Sequence, residues 1–277
     1  GEYVAQLKKE PPSHIILPIL HLPRQAVAKL FREKQVGTPP PQGDDVAGLV
    51  KAAREALRQH FESADAGISG ANFAVADQGA LCIVSNEGNA RFVTSLPKLH
   101  VAVVGIDKLV PDLASLGVFL QLLARSATGQ RLTVYSNLLW PGRQAGDGAG
   151  AQETHVVLLD NGRTRLLASE AAEILACIRC GACLNACPIY KSVGGHAYGG
   201  TYPGPLGSIV SPGLGEQKGK DLAFASTLCG ACRDACPVRI DIPKLPLYYR
   251  SGEAFPQPKS AMKKVSVGTY SALASRP

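Results

Sequence analysis

The stretch that decides the fold of the second half of the chain reads Cys177-Ile-Arg-Cys180-Gly-Ala-Cys183-Leu-Asn-Ala-Cys187-Pro188. Its spacing, C-x2-C-x2-C-x3-C-P, is that of bacterial ferredoxins. Three thiolates at successive three-residue steps can bind three corners of one iron–sulfur cube, and the fourth is carried past to serve another cluster. Pro188 turns the chain away after the fourth cysteine. The stretch therefore predicts iron–sulfur chemistry.

A second stretch repeats the first at an offset of 49 residues and reads Ser226-Thr-Leu-Cys229-Gly-Ala-Cys232-Arg-Asp-Ala-Cys236-Pro237. Seven of its twelve residues are identical to those of the first stretch, which indicates an internal repeat. The important difference is Ser226, which stands where the first stretch has Cys177.

Crossed ligation, as in two-cluster ferredoxins, predicts the ligands of both clusters. Cluster one takes Cys177, Cys180, Cys183 and the distant Cys236. Cluster two takes Cys187, Cys229 and Cys232, which are only three thiolates. Three possibilities complete it: a [3Fe-4S] form, a [4Fe-4S] form with a non-cysteine ligand for which Ser226 is the nearest candidate, or a cysteine from outside this sequence. We favour a [4Fe-4S] cluster whose fourth site is weakly held.

A zinc site is the competing interpretation of the cysteines. Cys177, Cys180, Cys229 and Cys232 would provide a four-thiolate tetrahedral site, but the other three cysteines of the two stretches would have no role. The eighth cysteine, Cys82, lies in an apolar run and is interpreted as a buried small hydrophobic residue. A secreted disulfide scaffold would scatter its cysteines through a short chain, so that class is excluded.

Composition bounds the rest of the chain, which has 277 residues, 45% of them hydrophobic and 18% charged. This length suits one large domain or two ordinary ones, and the low charge excludes a disordered protein. No apolar run is long enough to predict a membrane span. Met262 is the only methionine and Gly1 is the first residue, so we expect a piece of a longer protein.

The net charge of +7 is concentrated near the end of the sequence. Residues 239–277 contain seven basic and two acidic residues, and residues 251–277 are interpreted as a basic tail. We recognise no nucleic-acid-binding module with stacking aromatic side chains in this basic region, which argues against nucleic-acid binding. A solvated tail is the plain interpretation, and binding to an acidic partner surface is the alternative.

Alternating helix and strand patterns predict an α/β domain over residues 1–165. Helices are predicted over residues 25–34, after Asp44 or Asp45 with an apolar face that includes Val46 and Val50, and over residues 113–127. Strands are predicted over residues 71–75 and 81–85 as a hairpin, and over residues 100–105, 131–138 and 155–159.

Residues 166–250 show little strand pattern, which predicts a mainly helical domain around the cysteines. A helix is expected from Ser169 as N-cap into the first cysteine stretch, and a short one over residues 220–226. The segment 194–215 is rich in Gly and Pro and is interpreted as a tight connection near the clusters.

The α/β domain offers a set of polar side chains beside glycine turns that could bind a small anionic ligand or act in catalysis. These candidates are Asn72, Asp77, Asn86, Glu87, Asn89 and Arg91. Turn chemistry explains the same residues without any ligand, because Asn and Gly close hairpins in any case. Catalytic residues of this chain stay unknown at this stage.

Several stretches resemble the lactate-utilisation family. Residues 10–15 (EPPSHI), 64–76 (ADAGISGANFAVA), 85–89 (SNEGN) and 105–111 (GIDKLVP) are similar to the domain shared by these proteins. The cysteine stretches, with residues 194–198 (GGHAY) and 202–205 (YPGP) between them, resemble the iron–sulfur subunit of that family, the B type. The resemblance covers about residues 1–250.

The resemblance implies a LUD domain of the NagB/RpiA/CoA-transferase-like α/β fold, followed by an all-α helical ferredoxin domain with two iron–sulfur clusters. It also implies an electron-transfer subunit, with no catalytic role of its own, in a complex that oxidises L-lactate to pyruvate. Expected partners are the other subunits of that complex and an electron acceptor. The expected location is the cytoplasm, with peripheral association at the inner face of the membrane as an option. An assembly module with structural clusters is the third class of function.

Overall fold

The computed structural model describes residues 1–143 and 145–252, so most of the basic tail proposed from the sequence lies outside the described residues. Three helices open the chain: α1 (Glu2–Lys8), α2 (Arg24–Glu33) and α3 (Val46–Ser63). Asp45 caps α3, because its carboxylate accepts the N–H of Gly48 at 2.7 Å. The predicted inward face of α3 is partly wrong: Leu49 is buried as predicted, but Val46 and Val50 are exposed, and Ala52 is buried although it was not predicted.

Two small sheets follow, with the elements listed here in chain order: β1 (Ala66–Gly70), β2 (Phe73–Val75), β3 (Ala80–Ser85), α4 (Asn89–Ser95), β4 (Leu99–Gly105), β5 (Leu109–Val110), α5 (Leu113–Thr128), β6 (Tyr135–Leu139) and β7 (Glu153–Leu159). One sheet is parallel, in the order β1-β4-β7, and the other is mixed, in the order β5-β2-β3-β6. The predicted hairpin is confirmed as β2 and β3, in which Phe73 pairs with Cys82.

The core of the mixed sheet contains Cys82. This side chain has no exposed surface and packs among Phe73, Val75 and Leu116, the last of which lies on α5. Burial raises the pKa of the Cys82 thiol to about 11. The interpretation of Cys82 as a small hydrophobic residue is therefore confirmed.

The second half is helical, as expected. Its short helices are α6 (Arg163–Leu167), α7 (Ala182–Ala186), α8 (Pro188–Val193), α9 (Gly204–Gly213), α10 (Ala231–Asp234) and α11 (Leu245–Arg250). Three 3-10 segments lie between them, Ala172–Ala176, His196–Tyr198 and Gln217–Ala225. The helix expected from Ser169 is only the first of these segments, and Ser169 bonds locally to Leu166 and Ala171 instead of capping a long helix.

The prediction of a tight connection near the clusters over residues 194–215 missed a helix, because α9 forms there and is the buried centre of this domain, although its Leu206 does line the cavity of the first cysteine group. Leu206, Ile209 and Val210 on α9 are almost fully buried. Glycine makes this helix possible, since a Cβ at Gly207 would stand 1.5 Å from the carbonyl oxygen of Tyr202. The small residues of α9 let the backbone of neighbouring segments approach the helix closely. Helix propensity alone does not indicate that a helix forms here.

The N-terminal segment before α2 packs against the helical half of the chain. The Tyr190 hydroxyl donates to the carbonyl oxygen of Ser13 at 2.7 Å, and Ile15 packs on the core of the helical domain. No helix within residues 1–143 and 145–252 is long and apolar enough to cross a membrane.

Candidate iron–sulfur centre

The two cysteine stretches share one backbone conformation. Arg179 and Leu228, which are equivalent in the repeat, both adopt left-handed conformations, with φ of 61° and 59°. Gly181 and Gly230 are also equivalent and left-handed, with φ of 77° and 86°. Each glycine is followed by a short helix, α7 or α10. The repeat seen in the sequence is therefore a repeat of two loops with the same backbone turns before a short helix.

A first group of cysteines lines one cavity. Cys177, Cys180 and Cys183 come from the first loop, and Cys236 reaches the same cavity from the end of the second. The remaining wall is largely apolar, being formed by Ile178, Gly181, Leu206, Pro237, Val238, Ile240 and Ile242. Cys180, Cys183 and Cys236 are buried and Cys177 is half-buried. The four sulfurs predicted for one cluster therefore surround a single apolar space.

A second group forms beside the first. Cys232 lies within electrostatic range of Cys187 and Cys229, so the last cysteine of the first loop joins two cysteines of the second. Cys183 of the first group also lies within electrostatic range of Cys232. The two groups are therefore neighbours, and the exposed Cys229 places the second nearer to the surface.

Ser226 lies in its loop as Cys177 lies in the other. The Ser226 hydroxyl accepts the backbone N–H of Leu228 at 3.2 Å, and the Cys177 sulfur accepts that of Arg179 at 3.4 Å. Both side chains are half-buried. Arg250 holds the serine in place, because its guanidinium donates to the Ser226 carbonyl oxygen at 2.6 Å. A side-chain oxygen thus stands where the repeat places a sulfur.

Burial controls the protonation of these thiols. It raises the pKa of Cys180 and of Cys232 to about 11, and it raises the pKa of Cys183 further still. The exposed Cys229 differs, because the backbone N–H of Ala231 and the side chain of Thr227 lower its pKa. Buried thiolates need a positively charged partner, which the iron of a bound cluster provides.

The arrangement fits clusters better than it fits zinc. A tetrahedral zinc ion would hold its sulfurs about 4 Å apart, given Zn–S bonds of about 2.3 Å. The zinc interpretation needs Cys177, Cys180, Cys229 and Cys232 around one ion, but Cys177 and Cys180 line the first cavity while Cys229 lies beside Cys232 in the second group. The four cysteines of the first group instead line a shared cavity, as the corners of a cube require.

The polar candidates of the α/β domain do not converge on one cavity. The Asn72 side-chain oxygen accepts the N–H of Val84 at 2.9 Å, and that of Asn86 accepts the N–H of Val134 at 3.2 Å. The remaining four lie in the loops and in α4: Asn89 bonds to Ser85 and Ala90, Asp77 to Gln78, Glu87 through its backbone to Ser85, and Arg91 lies over the Tyr135 ring. These contacts support turn chemistry, and a ligand-binding role stays a prediction.

The α/β domain has a different cleft, of about 430 Å³, that the sequence did not reveal. Its wall includes Thr94, His100, Trp140, Arg143 and Thr154. His100 is buried, and its Nε2 lies 2.8 Å from the Ser69 hydroxyl. The sequence showed His100 only as the start of a strand, so no local signal indicated the cleft.

Comparisons with known proteins agree with this geometry. Residues 7–159 match the LUD domain family, and residues 173–240 match the 4Fe-4S dicluster domain. The chain belongs to the LUD domain family. After its LUD domain it carries a 4Fe-4S dicluster domain, so the expected fold class and iron–sulfur cofactors are confirmed.

Several curated proteins are also similar to this chain over most of its length. An uncharacterized electron transport protein, YkgF, of Escherichia coli K12 is 47% identical over 251 residues, which are 90% of this chain and 52% of the relative. Lactate utilization protein B of Bacillus cytotoxicus and of Bacillus cereus are each 46% identical over 279 residues, 98% of this chain and 58% of each relative. The whole chain thus spans somewhat more than half the length of these relatives. No solved structure matches it.

Proposed function

We propose that this chain is the iron–sulfur electron-transfer part of a protein complex that oxidises L-lactate to pyruvate. The observation that carries the proposal is the grouping of seven cysteines into two neighbouring sets, in a domain of the 4Fe-4S dicluster type. The similarity to lactate utilization protein B and to an electron transport protein supports the choice of reaction. The chain itself then needs no acid–base group.

The proposed ligands of cluster one are Cys177, Cys180, Cys183 and Cys236. When bound, such clusters supply one-electron redox chemistry, and the protein tunes it through ligation, hydrogen bonds and burial. The chain contributes a largely apolar wall that includes Leu206 and Ile240, both almost fully buried. This wall limits the access of water to the buried sulfurs of Cys180, Cys183 and Cys236.

The proposed ligands of cluster two are Cys187, Cys229, Cys232 and the hydroxyl oxygen of Ser226. The matched hydrogen bonds of Ser226 and Cys177 support the serine, because they orient the two side chains alike within equivalent loops. A [3Fe-4S] form with three cysteines and a cysteine from outside this sequence are the competing possibilities. The tests given below for Ser226 separate them.

Exposure suggests an order for electron transfer. Three of the four cysteines of the first group are buried and Cys177 is half-buried, whereas Cys229 of the second group is exposed. We therefore place the contact with the external electron acceptor or donor at the second loop. The proposal includes a cytoplasmic location, since free thiols persist in reducing compartments, and association with the other subunits of the complex.

One experiment tests the electron-transfer role. The protein is purified anaerobically, mixed with its co-purified partner subunits and exposed to L-lactate, and electron paramagnetic resonance (EPR) follows the reduced clusters. We expect L-lactate to generate the reduced-cluster signal, D-lactate to serve as a substrate control, and a Cys236→Ala variant to lose the cluster-one component. Intact clusters that never respond to L-lactate in the assembled complex would favour the structural role.

The cleft of the LUD domain favours a second candidate function, the binding of a small anionic substrate by this domain. Its wall contains the buried His100 and the guanidinium-bearing Arg143. Substituting Asn72 or Glu87 tests whether the polar side chains beside the glycine turns bind the substrate. Substituting Thr154 by Val tests whether the cleft binds it. Loss of lactate-dependent growth with clusters and assembly intact would favour this function.

A further inference from the structure

A buried carboxylate joins the LUD domain to the first cysteine loop. Asp107 follows β4, and its side chain is only 2% exposed. Its Oδ1 accepts from Arg163 Nε at 2.7 Å, and its Oδ2 accepts from Lys108 Nζ at 2.5 Å and from Arg179 Nη2 at 3.4 Å. We call these four side chains the Asp107 network.

The Asp107 network reaches the proposed ligands of cluster one directly. Lys108 Nζ donates to the carbonyl oxygen of Cys177 at 2.8 Å. Arg179 lies between Cys177 and Cys180 in the left-handed turn of the loop, and its guanidinium stacks 4.6 Å from the centre of the Tyr202 ring. Its Nη1 is buried and has no hydrogen-bond partner among the described residues. This nitrogen is a donor that the Asp107 network leaves unused.

The charges of the Asp107 network do not cancel. Arg163 and Arg179 carry two formal positive charges against the single negative charge of Asp107, and Lys108 adds a third when it is protonated, although burial and Arg179 lower its pKa. Burial raises the pKa of Asp107, but Lys108, Arg179 and Arg163 together lower it below its ordinary value, so the carboxylate is ionised. The three cationic side chains are between 7% and 18% exposed. A net positive charge therefore lies in a poorly solvated position, where salt screens it little.

We propose that the Asp107 network raises the reduction potential of cluster one, so that contacts from the LUD domain influence the electron affinity of the ferredoxin domain. The proposal rests on the ligand assignment given above. Reduction adds one negative charge beside Arg179 and Lys108, and buried cations at short range stabilise that charge. The distances give an order of influence: Arg179 lies within the loop, whereas Arg163 reaches it only through Asp107.

The test is a potentiometric EPR titration of the full anaerobic protein, with dithionite as the reductant. Arg179→Gln removes a cation, and Arg179→Lys keeps the charge while losing the guanidinium. Arg165→Gln is the matched control, because Arg165 is an exposed arginine on the same helix as Arg163. Iron and acid-labile sulfide are counted in every variant.

We expect the midpoint potential of cluster one to fall in Arg179→Gln. At the wild-type midpoint, the ratio of reduced to oxidised cluster should drop at least tenfold, which is 59 mV for a one-electron couple. Arg163→Gln should cause a smaller fall, Arg179→Lys should restore most of the loss, and Arg165→Gln should cause none. Cluster two should shift less than cluster one in each variant.

Two results would overturn the proposal. One is an unchanged potential in Arg179→Gln and Arg163→Gln with full iron and sulfide content, which would leave the proposed function standing. The other is an equal shift in Arg179→Lys and Arg179→Gln, which would mean that packing and not charge matters. Absence of iron and sulfide from the wild-type protein would instead refute the ligand assignment itself. If Arg179→Gln fails to fold, the Arg163→Gln and Arg179→Lys variants decide.

Discussion

Ser226 and Cys177 occupy equivalent positions in two loops of the same conformation. Each accepts the backbone N–H of the residue two positions later, at 3.2 Å for the serine oxygen and 3.4 Å for the cysteine sulfur. The repeat therefore preserves the geometry of the proposed ligand position while changing sulfur to oxygen. A serine oxygen is a harder and less readily ionised ligand than a cysteine sulfur, so iron at this position should be held less firmly.

The first prediction concerns this serine. Ser226→Ala should remove the oxygen ligand and leave cluster two in the three-iron form, with about seven irons per chain in place of about eight. A paramagnetic signal should then appear in the oxidised protein. Ser226→Cys should keep about eight irons and resist iron loss. Iron analysis with EPR makes the measurement, and Ser192→Ala, an exposed serine on α8, is the control. About eight irons in Ser226→Ala would show that another group is the fourth ligand.

A second prediction tests the crossed ligation. Cys236→Ala should empty cluster one and change cluster two little, even though Cys236 belongs to the second loop, because its sulfur lines the cavity of the first group. Cys187→Ala should do the reverse. Cys82→Ala should keep both clusters, since Cys82 does not line the cavity of the first cysteine group, although it shares a buried core with Ile178 and Cys180. The measurement is cluster-specific EPR with iron counting, and loss of cluster two alone in Cys236→Ala would contradict the assignment.

Two helical glycines provide a third prediction, on stability. Gly207→Ala should destabilise the ferredoxin domain by about 3 kcal/mol or more, because the new Cβ would overlap the carbonyl oxygen of Tyr202. Gly117→Ala, in the N-terminal half of α5, meets open space and should stabilise the protein by about 0.5–1 kcal/mol. Denaturant unfolding of the anaerobic protein measures both free energies. Equal effects of the two substitutions would mean that the Tyr202 carbonyl oxygen does not lie close to Gly207 of α9.

The fourth prediction concerns pH. Burial lowers the pKa of His100, so the folded protein binds a proton there less readily than the unfolded chain does. The neutral His100 imidazole contributes fully to the free energy of unfolding above its pKa in the unfolded chain, about 6.5. This contribution is lost as the pH falls from that value toward the lower pKa of His100 in the folded protein. His100→Gln should therefore reduce the loss of stability between pH 7.5 and pH 5.5, whereas substitution of the exposed His60 on α3 should not.

Unfolding midpoints at the two pH values measure this effect. The His100 contribution cannot exceed about 1.4 kcal/mol per pH unit, which is the linkage limit for one proton. An identical pH dependence in wild type and His100→Gln would mean that the imidazole titrates normally in the folded protein.

Local patterns predicted the elements whose shape depends on neighbours in sequence. The cap of α3 at Asp45, the hairpin of β2 and β3, and the spacing of the cysteine loops all follow from residues close together in the chain. The cysteine grouping was predictable for a related reason, because a known spacing encodes a three-dimensional arrangement. Burial of Cys82 followed from its apolar surroundings in the sequence.

Features that depend on distant residues escaped prediction. Helix α9 forms within a Gly- and Pro-rich segment because its small residues are enclosed by the rest of the domain. Val46 and Val50 follow the apolar period of α3 but are exposed, since only one side of the stripe meets a neighbour. The Asp107 network joins residues 56 and 72 positions apart in sequence, and no local signal predicts such a pairing.

The most direct test of the central claim is a count of iron, acid-labile sulfide and zinc per chain after anaerobic purification. Two clusters, with Ser226 completing the second, predict about eight irons and about eight sulfides. About seven irons would retain the electron-transfer role but contradict the serine ligand. About one zinc with negligible sulfide would contradict the account as a whole.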